Sequence, residues 1–162
     1  MNMYEVKPLH LANALSFTLP DQETAGFFRN EKLRTFLDDI ESTIKEYDAQ
    51  PVGPLILKSS LEYKEDDDVI GIDTYIQQAD RFVEGVKPPY RMDKTVNIAE
   101  CLWFHYSGEK MRLLERFFDV RLQAIEKEIS LANEIYVFFS SQSSDDDCIS
   151  VEVFIPICNG NC

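Results

Sequence analysis

A glutamate lies in the middle of a strand-like segment near the end of the sequence. In "CISVEVFIPI" (148–157), apolar residues alternate with Ser150, Glu152 and Phe154, which is the two-residue period of a strand with one buried face. A buried lone carboxylate is unfavourable, but a lipophilic cation can neutralise it and stack on nearby rings. The alternative is an exposed strand face, on which Glu152 is solvated or paired with a Lys or Arg across the sheet.

Six further residues could complete a binding site around this carboxylate. The candidate ligand-binding residues are Glu152, Tyr136, Trp103, Phe154, His105, Asp73 and Tyr75. The aromatic residues have a structural alternative, because such side chains favour strands. A lone histidine is also more often structural than functional, although His105 could carry a proton.

The sequence contains no motif that assigns a catalytic residue. No Ser–His–Asp order, phosphate-binding glycine loop or H-E-x-x-H motif occurs. If the protein were an enzyme, we expect a hydrolase that uses Glu152 as general base, assisted by Tyr136 or His105. The tail "CNGNC" (158–162) could clip a metal or oxidise, but no second ligand pair accompanies it, so we predict no metal site and no cofactor.

The charge of the chain limits its partners. With 16 Lys and Arg against 29 Asp and Glu, the formal net charge is −13. Nucleic-acid binding and attachment to an anionic membrane are disfavoured, since both need clustered basic residues. A cationic ligand or a basic protein partner remains open. No run of about 20 apolar residues and no signal-peptide core occurs, so we expect a cytoplasmic protein with four reduced cysteines.

The sequence contains an internal repeat. "DDDVIGIDTYIQQ" (66–78) aligns with "DDDCISVEVFIPI" (145–157), which places Asp73 on Glu152 and Tyr75 on Phe154. "LANALSFTL" and "IAECLWFHY" align in the same way. We therefore predict a single domain over 1–162. Its parts are repeat one over about 1–80, a crossing segment over about 81–96 with Pro and Gly, and repeat two over about 97–158.

Each repeat is predicted to be a strand, a helix and a two-stranded hairpin. Asn30 and Ser107 are the candidate helix caps, and the acidic runs 66–68 and 145–147 are predicted hairpin turns. In the first helix the predicted buried stripe is Leu33, Phe36, Leu37, Ile40, Ile44 and Tyr47. In the second helix it is Met111, Leu114, Phe118, Leu122, Ile125 and Ile129.

The predicted fold is α+β, with two tandem βαββ repeats related by a pseudo-twofold axis. Their antiparallel sheet would carry the helices on one face and a groove on the other. Alternation places Cys101, Trp103, His105, Ser150, Glu152 and Phe154 on the groove side, together with Ala12, Ala14, Ser16, Gly71, Asp73 and Tyr75. For the strand that contains Tyr136, the sequence does not decide which residues face the groove, because both of its faces are apolar.

These motifs resemble a known family. The duplicated βαββ plan, "QPVGPLILKSS", "EIYVFF" and the terminal "SVEVFIPI" are similar to the GyrI-like, AraC effector-binding domain, over essentially the whole chain. The resemblance implies a bacterial small-molecule binder, since some members are fused to DNA-binding helices, some stand alone and a few hydrolyse their ligands. It also implies that Glu152 lies at the base of the groove and that Tyr136 is its third-strand aromatic. No helix-turn-helix precedes the domain, so we expect a stand-alone member.

Two functions follow as hypotheses. The first is a small-molecule-binding protein whose groove favours lipophilic, cationic ligands. The second is an acidic interaction protein, of the inhibitor or toxin-antagonist type, that uses its charge against a basic protein partner and binds no small molecule.

Overall fold

A computed structural model describes residues 3–22, 30–63, 69–141 and 148–158. In chain order its elements are β1 (Glu5–Gln22), α1 (Asn30–Glu46), β2 (Pro51–Tyr63), β3 (Val69–Ala79), β4 (Tyr90–Glu109), α2 (Arg112–Glu126), β5 (Glu134–Ser141) and β6 (Cys148–Pro156). The predicted hairpin turns 66–68 and 145–147 fall outside the described residues.

The six strands form one closed, barrel-like antiparallel sheet. Their order is β1-β3-β2-β5-β6-β4, and β4 pairs back onto β1. Each strand is therefore hydrogen-bonded on both sides. The prediction of an α+β protein with an antiparallel sheet is confirmed.

Strand β4 is longer than the sequence indicated. Residues 90–96 were assigned to the crossing segment, but they belong to β4 and pair with β1, from Phe17↔Tyr90 to Leu11↔Val96. Backbone pairing with a long partner strand overrides the Pro- and Gly-rich signal, which is confined to the residues before Tyr90. The irregular connection is correspondingly short.

One side of the sheet packs against both helices. This helix-side core contains Leu15, Phe17, Leu57, Tyr75, Leu102, Phe104, Val137, Val151, Val153 and Ile155 from the strands. From α1 it takes Ile40 and Ile44, with Leu37 partly buried against it, as the sequence predicted. The predicted stripe members Leu33 and Phe36 have side chains outside the described part of the chain.

The predicted buried stripe of α2 is wrong. The residues that α2 buries are Leu113, Phe117, Val120 and Ala124. Met111, Phe118, Leu122 and Ile125 are exposed, and only Leu114 and Ile129 of the predicted stripe pack partly against the core. Only two residues separate the end of β4 from Arg112, so the short connection fixes which side of α2 faces the sheet. On that side, the small residues Val120 and Ala124 permit close approach of the helix to the sheet. Ser107 lies in β4 and is not the cap, since Met111 holds that position.

The other side of the sheet, which we call the far face, has a core of its own. Its buried residues are Leu9, Leu11, Ala14, Ile56, Ile76, Cys101 and Tyr136. Val96, Ile98, Phe138 and Phe154 pack partly buried against them. Part of the predicted groove is therefore filled by the protein's own side chains.

The alternation of β1 changes at Asn13. Placing Ala12, Ala14 and Ser16 on the groove side implies that Leu11, Leu15 and Phe17 share the opposite face. Instead, Leu11 lies on the far face and the other two lie in the helix-side core. Asn13 has a φ of 51°, a left-handed conformation that Asn tolerates better than most residues. A left-handed residue inside a strand breaks the two-residue period and moves the following side chains to the other face.

The cysteines differ from the prediction at one position. Cys101 is a free thiol, whereas Cys158 is disulfide-bonded, so the expectation of four reduced cysteines is wrong for Cys158. Within the described residues, neither helix has the length and apolar character needed to cross a membrane.

Candidate functional site

Three aromatic residues of the predicted site lie side by side on the far face. Tyr136 of β5 is opposite Phe154 of β6, and Phe154 is opposite Trp103 of β4. Residues that face each other across strands have Cβ atoms roughly 5 Å apart, which is close enough for rings to touch. We call these three residues the aromatic row. The faces of β5, which the sequence left undecided, are thereby settled, because Tyr136 and Phe138 lie on the far face and Val137 in the helix-side core.

Glu152 lies two residues before Phe154 on β6 and so on the same face, next to the aromatic row. Its register partners are His105 on β4 and Phe138 on β5. The ring of Phe138 is 5.1 Å from that of Phe154, centroid to centroid, so a tilted aromatic pair borders the carboxylate. Glu152, Phe138, Phe154 and Trp103 are all half-buried, while His105 is exposed. This end of the far face is accessible from solvent.

The other end of the row is closed. Tyr136 and Cys101 are buried in the far-face core with Leu9 and Leu11. Burial raises the pKa of the Cys101 thiol to about 11, and the charge of Glu134 adds to the effect. Burial, then Glu134 and Cys101, also raise the pKa of Tyr136 above its ordinary value. Both groups are therefore neutral at physiological pH, so Tyr136 can donate a proton in a hydrogen bond but cannot act as a phenolate base.

Two lysines approach the rings of the row. The ammonium nitrogen of Lys7 lies 3.4 Å from the centroid of Trp103, and that of Lys58 lies 5.7 Å from the centroid of Tyr136. Lys58 also forms an ion pair with Glu134 at 3.4 Å. Both nitrogens are within the roughly 6 Å over which a cation is attracted to a ring face. Neither lysine is among the predicted site residues, although Lys58 follows Ile56 by two residues and therefore shares its face of the strand.

Asp73 and Tyr75 do not lie with the other predicted site residues. Tyr75 is buried in the helix-side core, stacked on Phe17 with ring centroids 5.5 Å apart. Asp73 is buried and accepts a hydrogen bond of 2.9 Å from the Ser59 hydroxyl. The predicted faces of β3 came from the alignment of the two aspartate runs, and that alignment is one residue out of step with the packing. A shift of one residue moves every side chain of a strand to the opposite face. Ile76, not Tyr75, faces the far side.

The described residues were also compared with the ligand sets of metal sites. No group of three or more His, Cys, Asp or Glu side chains in the described ranges could hold a metal ion. A cavity of about 530 Å³ lies elsewhere, along α2 and the end of β4. The half-buried residues at the open end of the row offer a carboxylate and several ring faces, and the buried neutral phenol of Tyr136 lies at its closed end.

Comparison with known proteins gives matches in structure alone. No family model and no curated protein matches this sequence. The chain aligns over 96% of its length with a chain of the cryo-EM EcmrR–DNA complex, at 12% identity and a TM-score of 0.64, and spans 57% of that chain. It also aligns over 96% of its length with the EcmrR C-terminal domain, at 10% identity and a TM-score of 0.64, covering 98% of that domain.

A third similar structure holds a ligand. SAV2435 bound to tetraphenylphosphonium aligns over 96% of this chain and 94% of its own, at 9% identity and a TM-score of 0.52. At such identities the likeness establishes the fold alone. It is consistent with the GyrI-like fold that the sequence motifs imply. Since one match is a DNA complex, the exclusion of nucleic acid stays a prediction.

Proposed function

We propose that this chain binds small, lipophilic cations at the open end of the aromatic row. The observation that carries the proposal is the Lys7 ammonium 3.4 Å from the centroid of Trp103. The ring face thus already accommodates a positive charge, and Trp is the aromatic residue that attracts cations most strongly. Half-buried Glu152, one step along the neighbouring strand, supplies the opposite charge. That SAV2435 binds tetraphenylphosphonium supports the ligand class.

Lys7 has a second role in this proposal. Its side chain is 43% exposed and its ammonium also pairs with Glu5 at 3.4 Å, so it can move into water while a ligand takes its place on the ring. Binding is then an exchange of one cation for another. Removal of the lysine charge in Lys7→Met should raise the affinity for a ligand cation by about twofold to fivefold, the value of an exposed cation–π contact.

The test uses tetraphenylphosphonium and its anionic counterpart of the same shape, tetraphenylborate. Trp103 is the only tryptophan in the chain, so its fluorescence reports the site directly. We expect the phosphonium to bind more tightly than the borate, and Glu152→Gln to weaken phosphonium binding by about threefold to fivefold. Glu100→Gln, a change at an exposed glutamate of β4, is the matched control. Equal binding of the two ions, or no effect of Glu152→Gln, would refute the proposed site.

We further propose that the chain is a GyrI-like domain built from two βαββ repeats related by a pseudo-twofold axis. The element order is strand, helix, strand, strand in both halves. The pairing also supports the proposal, because β1–β3–β2 in the first half corresponds to β4–β6–β5 in the second, and the two halves join at β2–β5 and β1–β4. Superposition of the halves in an experimental structure tests it.

A second function is proposed on a different observation. The net charge of −13 and the exposed apolar residues of α2 favour an acidic protein that binds a basic protein partner, as an inhibitor or toxin antagonist does. Charge steering weakens as salt rises. We expect a protein partner to co-purify at low salt and to be lost at high salt. Retention of small molecules alone would contradict this function.

A further inference from the structure

A row of large apolar side chains runs along the solvent side of α2. Its members are Met111, Phe118, Leu122 and Ile125, which are 68%, 65%, 58% and 68% exposed. Single exposed apolar residues are common on protein surfaces. These four differ because spacings of seven, four and three residues place them on one side of a helix with 3.6 residues per turn. We call them the outer stripe.

The outer stripe has acidic residues along one edge. Glu115, Asp119 and Glu126 are exposed, and helical geometry places all three on the same flank. The cavity of about 530 Å³ lies on this flank too, lined by Glu115 and Asp119 together with Tyr106, Ser107, Arg112 and Arg116. Arg112 is paired with Glu109 at 3.4 Å. The surface therefore combines an apolar strip, three carboxylates along one edge of it, and a depression that Arg112 and Arg116 also line.

A second copy of the chain fits this surface poorly. Two copies would each bring a net charge of −13. An antiparallel pair of α2 helices related by a twofold axis also sets the acidic flank of one against the acidic flank of the other.

We propose that the outer stripe is the docking site for a basic amphipathic helix of another protein. The apolar face of that helix would cover the stripe, and its Lys or Arg side chains would reach Glu115, Asp119 and Glu126. Such helices bind through apolar anchors spaced three, four and seven residues apart, which matches the spacing of the stripe. The inference rests on the second function proposed above, and it adds the surface and the chemistry of the partner.

The test uses the full chain and a designed peptide. The probe is a fluorescein-labelled amphipathic helix with leucines on one face and lysines on the other. A scrambled peptide and a version with glutamates in place of the lysines are its controls. Affinity is measured by fluorescence anisotropy, and self-association of the chain by sedimentation velocity. Because the substituted side chains are exposed, circular dichroism of each variant should match that of the parent.

Two variants of α2 are compared with one of α1. Phe118→Ser with Leu122→Ser removes the apolar anchors, and Glu115→Lys with Asp119→Lys and Glu126→Lys reverses the flank. We expect each to weaken binding of the lysine peptide at least about tenfold. Asp38→Lys with Asp39→Lys and Glu46→Lys makes the same change in net charge on α1, and we expect it to weaken binding by less than about threefold.

Other results overturn the inference. Binding that survives both α2 variants but is lost in the α1 variant would leave an acidic interaction protein whose surface is not α2. Equal binding of the scrambled peptide would show non-specific attraction. A chain that dimerises, and becomes monomeric in Phe118→Ser with Leu122→Ser, would show that a second copy covers the stripe. Absence of any peptide binding would refute the surface and count against the second function together.

Discussion

The two helices of this chain present different surfaces to solvent. From Leu37 onward α1 buries Ile40 and Ile44, and its exposed residues are all polar: Asp38, Asp39, Ser42, Lys45 and Glu46. In contrast, α2 buries Leu113, Phe117, Val120 and Ala124 and exposes the outer stripe. Packing against the sheet accounts for one apolar face of each helix. Contact with the sheet does not account for the second apolar face of α2, which is the face proposed above as a docking site.

The largest expected effect comes from two adjacent phenylalanines of α2. Phe117 is buried and meets Phe104 edge to face at 5.8 Å between centroids, whereas Phe118 belongs to the outer stripe. We expect Phe117→Ala to lower the free energy of unfolding by about 3–5 kcal/mol, since it leaves a cavity. Phe118→Ala should change it by no more than about 0.5 kcal/mol. Urea denaturation measures both, and similar losses would mean that both faces of α2 are packed.

On α1 the apolar residues should all matter for stability. Ile44 is buried between the helix and the sheet, so we expect Ile44→Ala to lower the free energy of unfolding by about 2–5 kcal/mol. Neighbouring Lys45 is exposed, and Lys45→Ala should be nearly neutral. Chemical denaturation compares them. A small effect at Ile44 would show that α1 is held less firmly than α2.

Close packing under α2 gives an effect of intermediate size. Ala124 is fully buried, so the added methyl groups of Ala124→Leu have no space and should destabilise the fold by about 1–3 kcal/mol. Ile125→Leu, at the adjacent exposed position, is the control and should leave the thermal midpoint unchanged. If Ala124→Leu were neutral or stabilising, the close approach of α2 to the sheet would be wrong.

The smallest expected change in stability is at Leu122. We expect Leu122→Gln to change the free energy of unfolding by no more than about 0.5 kcal/mol, because the side chain is mostly exposed. It should nevertheless reduce the fluorescence of a dye that binds exposed apolar surface. Thr43→Gln on α1 should leave dye fluorescence unaltered. Dye binding unchanged by Leu122→Gln would mean that the stripe is not the apolar surface that the dye detects.

The sequence predicted some faces correctly because the alternation there was unambiguous. In β6 every second residue from Val151 to Ile155 is aliphatic, and these residues do lie in the helix-side core. The same holds in β4, where Leu102 and Phe104 point to the helices and Cys101 to the far face. Where one face of a helix or strand is clearly more apolar than the other, that face is the one that is buried.

The predicted faces were wrong where two faces of an element were equally apolar, or where the alternation of side chains along a strand was interrupted. In α2 two sets of apolar residues both have helical spacing, and spacing alone does not decide which set packs against the sheet. In β3 an alignment of aspartates outweighed the packing of Ile76, and in β1 left-handed Asn13 altered the alternation. The contact of Lys7 with Trp103 depends on strand pairing about 95 residues apart, which periodicity does not encode.

The closure of the sheet limits how this protein can associate. Because β4 pairs with β1 and every strand has two neighbours, the described strands offer no open row of backbone amides along their paired lengths. Free edges of that kind template the addition of foreign strands and the growth of aggregates. Over those paired lengths, recognition would go through side chains, which point mutations can alter one at a time. The exposed apolar residues of α2 lie on a helix, apart from any strand edge to which a foreign strand could be added.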